Sequence, residues 1–293
     1  MQMNDKCLPC IVNQVLKVAE MTECKDKEGL LRKVFSYLSE LDYSKGTPEI
    51  SGETFRILKQ HIGNDDPYYA LRKHYNTLFL SKENNFERQV EESENPFVTA
   101  IKLAILGNLI DFNPIHNTNL DQIETLLAKV QGLDLIIDYC KHLIRDIKSS
   151  NTLLYLGDNC GEICLDKILI KKLKELNPKL DIYFAVRGEN VVNDSIEEDA
   201  YYVGIDKYAK VVSNEDNSMG TVLERTSISF QKLFLDADII ISKGQSNYEC
   251  LSEITNSNIY FLLMAKCKVI ADDIGVPIQS AVCLKIDEKQ NST

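Results

Sequence analysis

The stretch Leu153-Leu-Tyr-Leu-Gly-Asp-Asn-Cys-Gly-Glu162 decides the fold. An apolar run of strand length stops at Gly157 and two oxygen-bearing side chains follow. A helical period then begins (Ile163, Leu165, Ile168, Leu169, Leu173, Leu176) and closes at Asn177-Pro178. Strand, glycine-flanked turn and helix make the opening of a βα unit. The pattern recurs downstream, with strands expected at 182–186, 210–213, 238–242 and 259–264 and a sixth at 281–286. Upstream, apolar residues recur at three- and four-residue spacing over 10–41 (two helices breaking around 22–29), 52–61, 68–80, 85–92, 96–111 and 121–147. The expectation is an α/β protein: a largely parallel Rossmann-like sheet with flanking helices over 151–293, and an all-helical region over 1–150 packing on that core.

The composition is globular, with 44% hydrophobic and 26% charged residues over 293 positions. Thirty-three Lys and Arg against 44 Asp and Glu leave a net charge of −11, so a chain-wide basic footprint for nucleic acid or anionic lipid is missing. No apolar run reaches the ~20 residues that cross a bilayer, and the first residues lead into no signal-like apolar core. A cytoplasmic protein without nucleic-acid or membrane partners is expected. Nine cysteines are too sparse for a secreted disulfide framework and are expected to be reduced. The four histidines all precede residue 150, so the α/β part must do its chemistry without imidazole.

In open α/β sheets ligands sit beyond the carboxyl ends of the strands. There the first strand offers Asp158 and Asn159, and the second runs through Arg187-Gly188 to Asn193 and Asp194. Each pair taken alone also reads as a turn and helix cap. Together they bring like charges to one edge, a repulsion that a hard divalent cation relieves. The fourth and fifth strands end in Lys243-Gly244 and Lys266, two ammonium groups suited to phosphate oxygens, against the plainer reading of solvated lysines. Oxygen ligands plus cations, without a G-x-S-x-G serine, suit metal-assisted phosphate ester hydrolysis. The metal would bind a phosphate oxygen and acidify the attacking water. Cys7-Leu-Pro-Cys10 has redox or half-zinc spacing but lacks a second C-x-x-C; Cys267 is a candidate third thiol.

These residues resemble the DUF89 family, the ARMT1-like damage-control phosphatases, in the short stand-alone prokaryotic branch with an N-terminal CxxC. The resemblance spans nearly the whole chain. It rests on Cys7-Leu-Pro-Cys10, Gly107-Asn-Leu-Ile-Asp111, Gly157-Asp-Asn-Cys-Gly-Glu162, Arg187-Gly with Asn193-Asp194, Ser242-Lys-Gly-Gln-Ser-Asn-Tyr-Glu249 and Ala265-Lys-Cys267. It implies a phosphatase of small phosphorylated metabolites, sugar phosphates or damaged phospho-metabolites, using a divalent Mg, Mn, Co or Ni ion. Asp158, Asn159 and Asp194 would hold the metal and carry catalysis. Asn193, Lys243, Gly244, Gln245, Asn247 and Lys266 would meet the substrate, and Asn108 and Asp111 match a motif without an assigned role. Eukaryotic members carry Arg-Thr-x-Lys where this chain reads Met264-Ala-Lys-Cys267, so their substrate preferences do not transfer.

Three rivals differ in chemistry. An S-adenosylmethionine-dependent methyltransferase would share the first strand, but Asp158 and Asn159 stand where glycines are needed and no G-x-G pair follows. An aspartyl-nucleophile phosphatase would want an acid two residues after Asp158, where Cys160 stands. A non-catalytic sugar-phosphate or metal-binding protein would use the same strand-end lysines, and phosphate release separates it from an enzyme. On the phosphatase reading, Asp158→Ala is expected to abolish metal-dependent phosphate release while circular dichroism shows an intact fold. Near-normal turnover would reject the site.

Overall fold

The computed structural model describes residues 1–108, 125, 128–255 and 257–286. Along β2 (Thr152–Leu156) Leu153 and Tyr155 enter one apolar cluster, and Leu154 and Leu156 the other. A strand buried on both faces requires helices on both. β3 (Asp181–Val186), β5 (Ile239–Lys243) and β6 (Ile259–Ala265) split the same way. One face is covered by α6 (Pro96–Gly107), α7 (Cys140–Ser149) and α8 (Glu162–Leu176), whose apolar residues join the first cluster. On the other lie α10 (Ile228–Asp236), α11 (Gly244–Leu251) and α12 (Lys268–Ile274).

Among the described residues the sheet has seven strands in the order β1-β7-β6-β5-β2-β3-β4, with β1 at Leu135–Asp138, β4 at Lys210–Ser213 and β7 at Ser280–Lys285. From β6 to β4 all neighbours are parallel, and β7 (Ser280–Lys285) runs antiparallel to β6. The strands expected from the sequence are present within a residue or two. One element differs. Leu135–Asp138, inside the expected 121–147 helix, is β1 and pairs with β7. This four-residue edge strand abuts the strongly helical pattern of α7, and so short an apolar run does not reveal its period. The sheet thus recruits a piece of the region expected to be helical.

The chain runs from β2 outward through β3, α9 (Glu197–Val203) and β4, then returns to β5 on the other side of β2. Strand order reverses there, and the carboxyl ends of β2 and β5 flank the crevice where such folds take ligands. The helices α1 (Leu8–Met21), α2 (Lys27–Ser39) and α3 (Thr47–Ile62) gather Val15, Val18, Leu30, Val34, Phe55 and Leu58 into a cluster. Val191 and Val192 complete it from the loop after β3, so these helices pack on the rim that holds Asp194. α4 (Tyr69–Leu80) and α5 (Glu83–Glu91) lie against α8; Lys167 and Lys171 pair with Glu83 there. Among the described residues no helix is long and apolar enough to cross a membrane.

Close approach keeps position 52 a glycine. A Cβ on Gly52 of α3 would lie 2.6 Å from the Asn217 carbonyl oxygen and 2.9 Å from Ser218 Cα. Ala is favoured over Gly in a helix by about 1 kcal/mol, but a steric insertion against backbone costs about 1–3 kcal/mol. Gly52→Ala is therefore expected to lower the urea midpoint. A raised midpoint would show that the 217–218 backbone yields without cost.

Candidate active site

Asp158 and Asp194 meet because their loops are hydrogen-bonded together. Asn159 and Asp194 form an antiparallel bridge. The Asp158 carbonyl accepts from the Ser195 backbone N–H at 2.8 Å and the Ser195 hydroxyl at 3.0 Å, and Cys160 N–H donates to the Asn193 carbonyl at 2.9 Å. Asn193 Nδ2 donates to Asn159 Oδ1 at 2.8 Å. Just after α6, Asn108 Nδ2 donates to Asp158 Oδ2 at 2.8 Å and to Glu162 Oε2 at 3.0 Å; Asn159 Nδ2 donates to the same two atoms at 2.8 and 2.9 Å. Asp111, the other half of that motif, lies outside the described residues.

Arg187, at the end of β3, is buried; its Nε donates to Asp194 Oδ2 at 2.7 Å, and its Nη2 lies 3.6 Å from Asp158 Oδ1. Burial, then Glu162 and Asp194, push the Asp158 carboxyl up to about 8, with Arg187 and Lys266 opposing. Burial likewise raises Asp194 despite Arg187. The crevice therefore holds more carboxylate than its cations neutralise. Gly244, at φ +79°, closes against it: a Cβ there would stand 2.0 Å from Asp158 Oδ2.

Two expected phosphate ligands are placed differently. Lys243 is wholly buried, and its ammonium donates to the Ala104 carbonyl (2.9 Å), Glu162 Oε1 (2.7 Å) and Asp166 Oδ1, filling all three of its donor positions. Burial opposes that charge, but Asp166 and Glu162 outweigh it and hold the Lys243 pKa above its usual value. Asn247 is also buried; Nδ2 donates to the Lys243 and Gly157 carbonyls, and Oδ1 accepts from Thr221. It ties the ends of β2 and β5 together. Gln245 Oε1 accepts the Lys266 backbone N–H, and the Lys266 side chain is exposed at the rim, its charge acting on Asp158.

Several participants had no role assigned from sequence. Glu162 and Asp166, one turn apart on α8, share Lys243; Tyr155 OH donates to Asp166 Oδ1 at 2.7 Å. Their i,i+4 spacing was a signal for a shared face. Asn76 of α4 accepts the Gly161 N–H at 2.7 Å and donates to Asp199, which also pairs with Arg72. These contacts reach across more than 80 residues, and no spacing announces them.

The residues fit a divalent cation in chemistry: two carboxylates, the Asn159 amide, an excess of negative charge, and a buried Asn108 Oδ1 that has no hydrogen-bond partner among the described residues. Among the described residues no three His, Cys, Asp or Glu side chains are grouped to hold a metal by themselves. The described cysteines are free thiols.

A Rossmann-like sheet with acidic and amide oxygens at its switch point belongs to the open α/β class that takes its ligands in that crevice. The family model for the damage-control phosphatase ARMT1-like domain matches residues 3–282, and the chain belongs to that family. It is 33% identical over 288 residues to damage-control phosphatase PH1575 of Pyrococcus horikoshii, covering 97% of this chain and 98% of that one. To a damage-control phosphatase of Archaeoglobus fulgidus it is 29% identical, over 98% of this chain and 100% of the relative. The crystal structure of the DUF89 family protein PH1575 superposes with a TM-score of 0.88 at 31% identity, over 97% of this chain and 99% of the other.

Lys243→Met leaves Glu162 and Asp166 buried without their cation and is expected to destabilise the protein by about 3–5 kcal/mol in urea unfolding. Adding Asp166→Asn is expected to return part of that loss. A Lys243→Met protein as stable as its parent, with weakened phosphate binding alone, would put the ammonium back in the substrate site.

Proposed function

We propose that this protein is a metal-dependent phosphatase that hydrolyses monoesters of small phosphorylated metabolites, sugar phosphates or damaged phospho-metabolites, by attack of water, and that it works in the cytoplasm. The observation that carries the reading is the pairing of the Asp158–Asn159 and Asn193–Asp194 loops at the switch point, with carboxylate charge in excess of the cations around it. The names of the relatives support phosphatase action on the same grounds of kinship.

Asp158, Asn159 and Asp194 would hold the divalent ion, Mg, Mn, Co or Ni, which when bound supplies positive charge to the phosphoryl oxygens. Arg187 holds Asp194 by one hydrogen bond and faces Asp158, fixing the separation of the two loops. Asn108 holds the Asp158 carboxylate against rotation, and Gly244 lets the backbone of the β5 end come against it. Lys266, exposed one residue beyond β6, would meet a phosphate oxygen, and Gln245 accepts its backbone N–H. Lys243 acts at one remove, holding Glu162, on which the Asn108 and Asn159 amides are aligned.

The test is phosphate release from a panel of sugar phosphates after chelation and after return of each of the four metals. The chelated protein is expected to be inactive. Asp194→Asn is expected to cost on the order of 100-fold in kcat/KM, at least what loss of a metal-supporting contact costs. Full activity in chelator, or capture of a phospho-Asp158 adduct, would reject the mechanism.

A further inference from the structure

Beside the rim lies a cavity of about 200 Å³ whose walls come from both parts of the molecule. Val15 and Phe55 of the helices and Val192 and Met219 of the rim loops make it mostly apolar; Ser51 and Glu249 are polar groups on its wall. Its position ties it to the site. Val192 stands two residues before Asp194, and Met219 precedes Gly220, whose backbone N–H serves Asp194. Glu249 sits on α11, the helix that starts at Gly244 against Asp158.

Val192 also has φ +48°, a left-handed conformation that β-branched residues avoid. Such strain persists where surrounding packing imposes it, and here the helical cluster does so by burying Val191 and Val192. The wall is therefore built, with backbone strain accepted in the loop that carries Asp194.

Resting on the phosphatase reading, we infer that this cavity takes the body of the ester: an uncharged or cationic group that lies on the apolar wall and offers a hydroxyl or amine to Glu249, while bodies bearing a carboxylate or second phosphate are turned away. Size follows from comparison. A cavity of about 150 Å³ holds a benzene ring, so this one holds about eight non-hydrogen atoms. The Glu249 carboxyl is pushed up to about 7 by burial, with the Thr47 hydroxyl and the N-terminal ammonium pulling it down and Asp273 adding to the rise. Above that value the wall carries a negative charge.

The experiment is calorimetric titration at pH 8 with Mn²⁺, using methylphosphonate, phenylphosphonate and 4-carboxyphenylphosphonate, which carry the phosphate-like head but cannot be hydrolysed. The parent is expected to prefer phenyl to methyl. Ser51→Leu, which fills the cavity, should weaken phenylphosphonate by about tenfold and leave methylphosphonate within about twofold. Glu249→Gln should strengthen 4-carboxyphenylphosphonate by about tenfold and leave phenylphosphonate nearly unchanged. If Ser51→Leu does not fold, the Glu249→Gln result decides. A parent without phenyl preference, or parallel shifts of all three probes, overturns the inference. Selective binding without any phosphate release from phenyl phosphate would instead overturn the phosphatase reading and leave the pocket standing.

Discussion

Buried carboxylates outnumber buried cations at the crevice between β2 and β5, and much of the surrounding structure answers that imbalance. Asp158, Glu162, Asp166 and Asp194 are all shielded from solvent, and Lys243 and Arg187 face them from within the protein. Moving a charge out of water costs several kcal/mol unless partners replace the hydration. Lys243 serves Glu162 and Asp166, and Arg187 serves Asp194 directly and Asp158 at longer range. The deficit collects at Asp158, whose oxygens receive amide donors and a distant guanidinium. Dipoles alone do not neutralise a carboxylate, and burial with Glu162 and Asp194 nearby raises its pKa.

The helices explain how two loops with this repulsion stay together. Asn76 accepts the Gly161 N–H and so anchors the end of the Asp158 turn, while Val191 and Val192 anchor the other loop in the cluster of α1, α2 and α3. Backbone bonds between the loops then fix the register at Asn159 and Asp194. Apolar burial on the helical side thus opposes electrostatic separation at the rim. The N-terminal helices and the sheet are coupled through the loops that carry Asp158 and Asp194.

The sheet was legible because its strands are apolar runs bounded by turn residues, and the rim loops because Asp-Asn and Asn-Asp pairs follow them. β1 was not, since four edge residues beside a helical pattern show no period of their own. The Asn76 and Arg72 contacts were hidden for a different cause: each joins α4 to a loop or helix more than 80 residues away through single polar atoms. Patterns in sequence report a residue's own element, and partner choice across elements leaves no local trace.

Lys243 and Lys266 show the difference at one atom's scale. Both end a strand and both looked like phosphate ligands. Yet Lys243 pairs with Leu262 inside the ladder and falls on the same alternation as Ile239 and Ile241, which point into the face covered by α6 and α8. A side chain at that phase enters the core, and an ammonium there must find acceptors, which Glu162 and Asp166 supply from consecutive turns of α8. Lys266 lies one residue beyond β6, past the last ladder position, and stays at the surface. Strand phase, more than proximity to the strand end, separates the lysine buried against Glu162 and Asp166 from the one left exposed.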